Sequence, residues 1–334
     1  MNKILFDTLG IDKGYKEVVL AGINSVNSFE EIEVTFLGNE KDILDEIKKY
    51  KCDFKRIKVI NAPTEISCND IPTKAIKEKT DSSLVVGFEK LNEDYDAFIS
   101  GGSTGALLIG GFLKVGRIRG VSRPALCPLL PTLTNKSVML IDCGANVDCK
   151  PAYLCDFALM ANIYMREVMK ISSPRIGLLN IGLEENKGNE LAKQTYEKLK
   201  TLPINFVGNV EARDVFSGNY DVVVSDGFCG NILLKGSEGA INLILTKLKA
   251  EIKSSFLSKI GALFMKKTFK NIKKSLNMDY QGGSVLLGIK KPLIKVHGSS
   301  SHVAFEVAVK QAIDLKNNHV LEKFEEEFSK SIEE

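Results

Sequence analysis

The chain has 334 residues and 44% of them are hydrophobic, which is enough to build a large core without disulfide or metal staples. Lys and Arg number 45 against 42 Asp and Glu, and this near balance excludes a protein whose whole surface binds nucleic acid. The amino terminus lacks the apolar segment of a secretory signal, and no apolar run reaches the ~18 residues of a membrane-spanning helix.

Strand-like and helix-like segments alternate along the whole chain. Apolar and β-branched runs predict strands at 3–6, 33–37, 57–61, 97–100, 138–142, 175–180, 204–208, 222–225 and 293–296. Helical spacing of apolar residues predicts helices at 41–49, 153–169, 190–199 and after residue 317, where Val320, Phe324 and Phe328 fall four apart. This alternation predicts a doubly wound α/β protein with a mainly parallel sheet. We expect residues 1–334 to form one interlocked catalytic unit.

The seven cysteines are an odd number scattered along the chain, and three of them, Cys143, Cys149 and Cys155, repeat at a spacing of six. That spacing matches neither the close ligand pairs of a zinc site nor a redox C-x-x-C motif. No group of acidic residues has the spacing of a magnesium-dependent phosphoryl site. We therefore expect reduced thiols in a cytoplasmic protein, with neither a bound metal nor a cofactor.

A glycine-rich loop, Ser-Gly-Gly-Ser-Thr-Gly-Ala, follows the predicted strand at 97–100. Its backbone N–H groups would suit an anion or a developing oxyanion, with Ser103, Thr104 and Gly105 as candidate ligands. The loop lacks the Gly-Lys-Ser/Thr ending of a P-loop and the glycine spacing of a dinucleotide fingerprint. Because glycine-rich turns after strands are common, the loop indicates anion binding only in combination with others.

Charged or polar residues follow four further predicted strands. Asp226 comes after strand 222–225, where open α/β folds place ligands, although an Asp here could simply cap the next helix. Lys187 follows strand 175–180 and could present a cation, although a solvated loop lysine would give the same pattern. Arg213 could fork onto a phosphate, and His297 and Ser299 follow strand 293–296. Together these loops predict an anion-handling cleft, and the absence of a G-x-S-x-G elbow argues against a Ser-His-Asp hydrolase.

A basic amphipathic segment at about 237–278 is predicted to protrude as helix. Between residues 253 and 274 there are seven lysines and no acid, interleaved with large apolar residues. Such a helix can lie on an anionic membrane or bind an acidic protein, whereas the alternative is a dimer-interface helix with its lysines in water. The two interpretations are compatible if the segment protrudes from a dimer. The candidate contact residues are Lys259, Leu263, Phe264, Lys266, Lys267 and Lys270.

In these loops the chain resembles the phosphate acyltransferases of bacterial phospholipid synthesis, the PlsX family. The matching segments run in family order over nearly the whole chain, at 81–83, 100–106, 123–125, 142–151, 180–188, 208–214, 225–235, 282–288 and 295–300. The resemblance implies a three-layer α/β/α doubly wound fold like those of isocitrate and isopropylmalate dehydrogenases and of phosphotransacetylase, in a homodimer. The chain departs from the family in its opening loop, which lacks a second glycine and a His-Gly-Pro sequence, and at Ser103 and Ser301, where Asn and Asp are usual.

The resemblance also implies a reaction, in which acyl-[acyl-carrier-protein] and inorganic phosphate give acyl phosphate and the free carrier protein. The product then feeds a membrane acyltransferase that acts on glycerol 3-phosphate. We expect phosphate to attack the thioester directly, with Lys187 stabilising the developing negative charge and Asp226 orienting phosphate and accepting its proton. The anion cradle would comprise Ser103, Thr104, Gly105, Asn146, Arg213, Asn231, His297 and Ser299.

Two other functions remain open from the sequence. A phosphotransacetylase-like enzyme would share the fold and chemistry but use short acyl-CoA, and the basic segment favours a carrier protein over that substrate. A non-catalytic scaffold that docks on membranes is the alternative from another class, and the presence of both Lys187 and Asp226 argues against it. The expected partners are therefore acyl carrier protein, inorganic phosphate, a second copy of the chain and an anionic membrane surface with its acyltransferase, and not nucleic acid.

Overall fold

A computed structural model describes residues 1–134 and 136–333. The strands in these ranges are β1 Asn2–Asp7, β2 Ile32–Gly38, β3 Ile57–Asn61, β4 Ala97–Ser100, β5 Ala125–Cys127, β6 Leu129–Pro131, β7 Ser137–Ile141, β8 Ile176–Asn180, β9 Phe206–Glu211, β10 Val222–Val224, β11 Ser284–Leu287 and β12 Leu293–Lys295. The α-helices are α1 Tyr15–Ser28, α2 Glu40–Ile47, α3 Pro72–Glu78, α4 Ser83–Asp94, α5 Thr104–Gly110, α6 Pro151–Glu167, α7 Glu190–Leu199, α8 Gly227–Ser254, α9 Phe256–Phe264, α10 Lys266–Ser275, α11 His302–Asn317 and α12 Val320–Glu333.

The strands form two sheets that are mostly parallel. The first sheet has the order β3-β2-β1-β4-β12-β11-β5, and the second has the order β6-β7-β10-β8-β9. Antiparallel pairing occurs where β11 meets β12 and β5, and where β6 meets β7. The predicted α/β class and the mainly parallel pairing are confirmed, while the division of the strands between two sheets was not predicted.

The chain passes from the first sheet to the second at β5 and β6, and later returns. The backbone N–H of Leu126 in β5 donates to Oδ1 of Asp142 at 2.9 Å, and the N–H of Cys143 donates to the Leu126 carbonyl at 3.0 Å. After α10 the chain re-enters the first sheet through β11 and β12. A common hydrophobic cluster includes Phe6 of the first sheet and Val224 of the second. Both sheets therefore pack against shared core residues.

Most predicted elements are present, with shifted ends. The strand predicted at 204–208 lies at Phe206–Glu211, and the short antiparallel strands β5, β6 and β11 were not predicted. The terminal helix is confirmed as α12, in which Val320, Phe324 and Phe328 are fully buried. The basic segment forms the end of α8 and two shorter helices, because Ser255 caps α9 and α10 begins after Met265. All seven cysteines, each within the described residues, are free thiols.

Gly230 allows the first turn of α8 to lie directly on the loop after β7. A Cβ at this position would lie 2.0 Å from the carbonyl oxygen of Asp142. We expect Gly230→Ala to lower the free energy of unfolding by about 1–3 kcal/mol, the usual cost of overpacking, as measured by urea denaturation. Gly236→Ala is the matched control on the same helix, since no atom lies within 4 Å of its added Cβ and alanine favours helix. Equal midpoints for the two variants would contradict the prediction.

Candidate active site

Five of the predicted site residues follow parallel strands of the second sheet. Strand β10 pairs in parallel with β7 on one side and with β8 on the other, and β8 pairs in parallel with β9. The loops that follow these four strands therefore all leave the sheet at the carboxyl ends of its strands, which we call the edge of the sheet. Asn146 follows β7, Lys187 follows β8 and Arg213 follows β9, while Asp226 follows β10 and Asn231 lies near the start of α8.

Asp226 occupies the N-cap position of α8. Its Oδ1 accepts a hydrogen bond from the N–H of Cys229 at 2.8 Å, so the helix-capping role considered from the sequence is present. The N–H of Gly227 donates to the carbonyl of Asn146 at 2.7 Å, which joins this turn to the neighbouring loop. Burial, together with Asp226, raises the pKa of the Cys229 thiol to about 11, so this thiol stays protonated at neutral pH and is a poor nucleophile.

A buried carboxylate, Asp142, organises the loop beneath Asp226. Oδ2 of Asp142 accepts hydrogen bonds from the backbone N–H of Asn146 at 2.6 Å and from its side-chain amide at 3.0 Å. Oδ1 accepts from Leu126 at 2.9 Å and from Ala145 at 3.2 Å. Burial raises the pKa of Asp142, and these four bonds oppose that rise. The amide of Asn146 also donates to Pro124, so in this structure it holds the loop rather than facing an open cavity.

Lys187 lies on an exposed loop whose backbone is braced from several sides. The side-chain amide of Asn180 donates to the carbonyl of Lys187 at 3.2 Å, and that of Asn209 donates to the carbonyl of Glu184 at 2.9 Å. The hydroxyl of Tyr196 donates to Glu185 at 3.0 Å. These contacts fix the loop while the Lys187 side chain stays exposed to solvent, where it can meet a ligand.

Arg213 is engaged by acidic neighbours. Its guanidinium donates to Glu211 at 2.6 Å and lies 3.8 Å from Asp214, with the side chain 76% exposed. The hydrogen bond to Glu211 raises the pKa of Arg213. For Arg213 to fork onto phosphate, as the sequence predicted, this pairing would have to open.

The glycine-rich loop lies at the corresponding edge of the first sheet. Asp7 of β1 and Ser100 of β4 are register partners, and the Ser100 hydroxyl donates to Oδ2 of Asp7 at 2.7 Å. The N–H of Gly102 in turn donates to the Ser100 hydroxyl at 3.0 Å. Burial raises the pKa of Asp7 and the hydroxyl bond opposes that rise. Ser103 caps α5, accepting from Ala106 at 3.5 Å, so the loop is fixed from both ends.

The atypical opening loop lines a cavity of about 380 Å³ beside Ser103. Residues 8–12, 14 and 15 form one wall, and Glu65, Ile66 and Cys68 form another. The N–H of Asp12 donates to the carbonyl of Gly298 at 3.0 Å. This bond joins the opening loop to the turn after β12, so the loop keeps a structural place near the predicted site despite its changed sequence.

His297 brings the edges of the two sheets together. Its Nδ1 lies 2.8 Å from the Ser299 hydroxyl and its Nε2 lies 3.4 Å from Nζ of Lys235, which belongs to α8 of the second sheet. Burial and then Lys235 lower the pKa of His297, so the imidazole is neutral at pH 7. On the second-sheet side, Asn231 of α8 lies near Gly144, whose added Cβ would be 3.8 Å from Cγ of Asn231. The contact between His297 and Lys235 thus places the turn after β12 beside α8.

Lys235 and Lys295 received no role from the sequence, although both lie in segments that carry the family resemblance. Lys295 is 9% exposed at the end of β12. The available signal was a lone lysine in an otherwise apolar strand. Sequence spacing could not predict that Lys295 lies close to Lys235, because the two are 60 positions apart in the chain.

Helices α9 and α10 expose both the lysines and the apolar residues of the basic segment. Leu263 is 70% exposed and Phe264 is 86% exposed. Among the helices of residues 1–134 and 136–333, none has both the length and the apolar character to cross a bilayer. Helices α9 and α10 thus expose apolar as well as basic residues on the surface.

The chain matches the family described as "Fatty acid synthesis protein" over residues 2–323. The phosphate acyltransferase of Clostridium novyi (strain NT) is 45% identical, covering 96% of this chain and 97% of the relative. That of Clostridioides difficile (strain 630) is 41% identical, covering 99% and 98%. The identity is high enough, and the alignment long enough, to fix the family.

Solved structures show the same fold at much lower identity. The EutD phosphotransacetylase from Staphylococcus aureus has a TM-score of 0.58 at 14% identity, with 94% of each chain covered. A phosphotransacetylase from Streptococcus pyogenes has a TM-score of 0.57, also at 14% identity and 94% coverage of each chain. The predicted phosphotransacetylase-related fold is confirmed, and the extended sequence identity establishes that the chain belongs to the phosphate acyltransferases of the fatty acid synthesis protein family.

Proposed function

We propose that the chain transfers an acyl group from acyl carrier protein to inorganic phosphate. The observation that carries the proposal is the meeting of the two sheet edges, where Lys235 of α8 lies 3.4 Å from His297 of the first sheet. This contact places α8, which follows β10, beside the turn after β12. In this proposal Asp226, His297 and the lysines supply the carboxylate, imidazole and ammonium groups that an anionic nucleophile and a thioester require.

The reaction proceeds by direct attack of a phosphate oxygen on the thioester carbonyl carbon. The new C–O bond forms, the C–S bond breaks, and the thiolate of the carrier's prosthetic group leaves. Asp226 accepts the proton of hydrogen phosphate, and that proton ends on the leaving thiolate, so atoms and charge balance. The site's principal task is to hold the two reactants together, for which effective molarities of ~10⁵ M or more are attainable.

Lys187 supplies positive charge where negative charge develops on the carbonyl oxygen or the phosphate. The side-chain amide of Asn180 donates to the backbone carbonyl of Lys187, and that of Asn209 donates to the carbonyl of Glu184. These two hydrogen bonds fix the backbone that bears the Lys187 side chain. A donor fixed before the reaction costs no reorganisation during it, which is the basis of electrostatic catalysis. Ser103, Thr104, Gly105, Asn231 and Ser299 complete the cradle in this proposal.

The proposed catalytic unit spans both sheets, acts as a homodimer in the cytoplasm and contacts membranes peripherally. Support for one unit comes from the shared hydrophobic cluster, and support for a partner surface comes from the exposed apolar residues of α8, α9 and α10. The lysines at 259, 266, 267 and 270 suit an acidic carrier protein or an anionic lipid. Membrane contact would deliver an unstable acyl phosphate close to the membrane acyltransferase that consumes it.

Phosphate-dependent release of thiol from palmitoyl-carrier protein tests the function, with palmitoyl-CoA and acetyl-CoA assayed in parallel. Rapid release from the carrier protein supports the proposal. Turnover of acetyl-CoA alone would instead support a phosphotransacetylase-like activity, which the fold similarity to phosphotransacetylases makes the second candidate. If no thiol is released from any thioester in the presence of phosphate, the result would favour the scaffold function.

The apolar tip of α9 gives a prediction for membrane contact. We expect Leu263→Glu combined with Phe264→Glu to abolish flotation with vesicles that contain anionic phospholipid, because two exposed apolar anchors become charged. Thiol release in solution should remain. Ile71→Glu, which charges an apolar residue that is 67% exposed elsewhere, is the control and should float like the unchanged protein. Undiminished flotation of the double variant would refute the contact.

A further inference from the structure

Three nitrogen-bearing side chains converge between the two sheets. Lys235 on α8 has its Nζ 3.4 Å from Nε2 of His297, and Lys295 lies two residues before His297 on β12. Nζ of Lys295 donates to the carbonyl of Gly101 in the glycine-rich loop at 2.9 Å, and also to the carbonyl of Val296. We call this group the Lys235–His297–Lys295 cluster.

Lys295 is a buried cation without a carboxylate partner in the described part of the chain. Its two hydrogen bonds go to neutral carbonyls, and an ammonium has three donors. Burial lowers its pKa to about 8, and the more distant Asp7 opposes that fall, so most of it is charged at pH 7. Because a buried charge is ordinarily paired, the third donor of Lys295 calls for an anionic acceptor.

The ammonium of Lys235 has a donor to spare as well. Its Nζ lies 3.4 Å from Nε2 of His297 and 2.8 Å from the carboxylate of Glu238. Because an ammonium has three donors, one remains for an anionic oxygen placed beside the imidazole.

We propose that inorganic phosphate binds in the Lys235–His297–Lys295 cluster, with Lys235 and Lys295 on opposite sides of the anion. This inference rests on the proposed function and identifies where its nucleophile binds. A tetrahedral dianion has enough acceptor oxygens for the free donors of both ammonium groups, and it suits two cations beside a neutral ring. Because one lysine belongs to each sheet, bound phosphate would link the two edges across the cleft.

Lys235→Met is the principal test, because Lys235 is half-exposed and the change should leave the fold intact. We expect KM for phosphate to rise about tenfold or more, because one charge-assisted hydrogen bond to the anion is lost. KM for palmitoyl-carrier protein should change less than about twofold. Lys235→Arg should restore part of the affinity. Lys310→Met is the matched control, because Lys310 is also paired with an acid on its own helix but lies on α11. The KM of this variant for phosphate should not change.

A binding measurement without turnover separates this proposal from the proposed function. Inorganic phosphate should raise the Tm of the unchanged chain in a concentration-dependent way, and Lys235→Met and Lys295→Met should each require about tenfold more phosphate for the same rise. If Lys295→Met fails to fold, the Lys235 variant decides. A phosphate response in Lys235→Met equal to that of the unchanged chain, or no response in either, overturns the site. A response that Lys235→Met weakens, without turnover of any thioester, would retain the site and overturn the proposed function.

Discussion

Asp226→Asn should reduce phosphate-dependent thiol release at least ~10²-fold while the protein stays folded, because a general base contributes about 10²–10⁴ in rate. Asparagine keeps the side-chain oxygen that accepts from Cys229 and is itself a good N-cap, so the first turn of α8 is preserved. Only the negative charge and the basicity are removed. The measurement is kcat with palmitoyl-carrier protein at saturating phosphate, together with the urea unfolding midpoint.

Asp226→Ala separates the two roles of this residue. It should lose activity to a similar extent and also cost about 1 kcal/mol of stability, the usual value of a lost N-cap. Asn39→Ala is the matched control, because Asn39 caps α2 by accepting from Asp42 at 3.2 Å, away from the cleft. That variant should be less stable and fully active. Near-normal turnover by Asp226→Asn would leave Asp226 as a helix cap alone.

Lys187→Ala is expected to cost ~10²–10³-fold in kcat, the typical loss when one electrostatic donor to the transition state is removed. Stability should hardly change, because the side chain is exposed and its loop is braced through backbone carbonyls. Lys187→Arg should recover only part of the activity, since the guanidinium keeps the charge but changes its position and shape.

Lys193→Ala provides the comparison for Lys187. Lys193 is an exposed lysine in α7, six residues further along the chain, and is not placed in the site. It should keep normal turnover. Similar activity of the two alanine variants would mean that Lys187 is the solvated loop lysine considered as the alternative from the sequence.

The strands of this protein could be predicted where burial on both faces leaves a continuous apolar run. Val222, Val223 and Val224 are fully buried in β10, and their β-branched run is typical of a strand in the middle of a parallel sheet. The three-residue strand β5 gave no such signal, because its conformation depends on pairing with β11, 157 residues or more away in the chain. Short strands of this kind are determined by tertiary contacts and not by local propensity.

The candidate site divides in the same way. Asp226 and Lys187 could be proposed because each follows a strand that is visible in the sequence, and strand ends are where such folds place ligands. The contact between Lys235 and His297 could not, since it depends on how the two sheets lie side by side. The ion pairs of Arg213 with Glu211 and Asp214 could not be predicted either. Their closeness in the sequence does not show whether the carboxylates contact the guanidinium or point to solvent.

The position of β12 has a consequence for the order in which the protein is made. β12 lies between β4 and β11 in the first sheet, yet residues 101–292 are synthesised between β4 and β12. Until residues 293–295 have left the ribosome, β4 lacks its β12 neighbour. An unpaired strand of this kind is a template for aggregation. Chains cut short before β12 should therefore be substrates for chaperones and proteases. The glycine-rich loop, made early, would acquire its buried cation only after this late strand has been inserted.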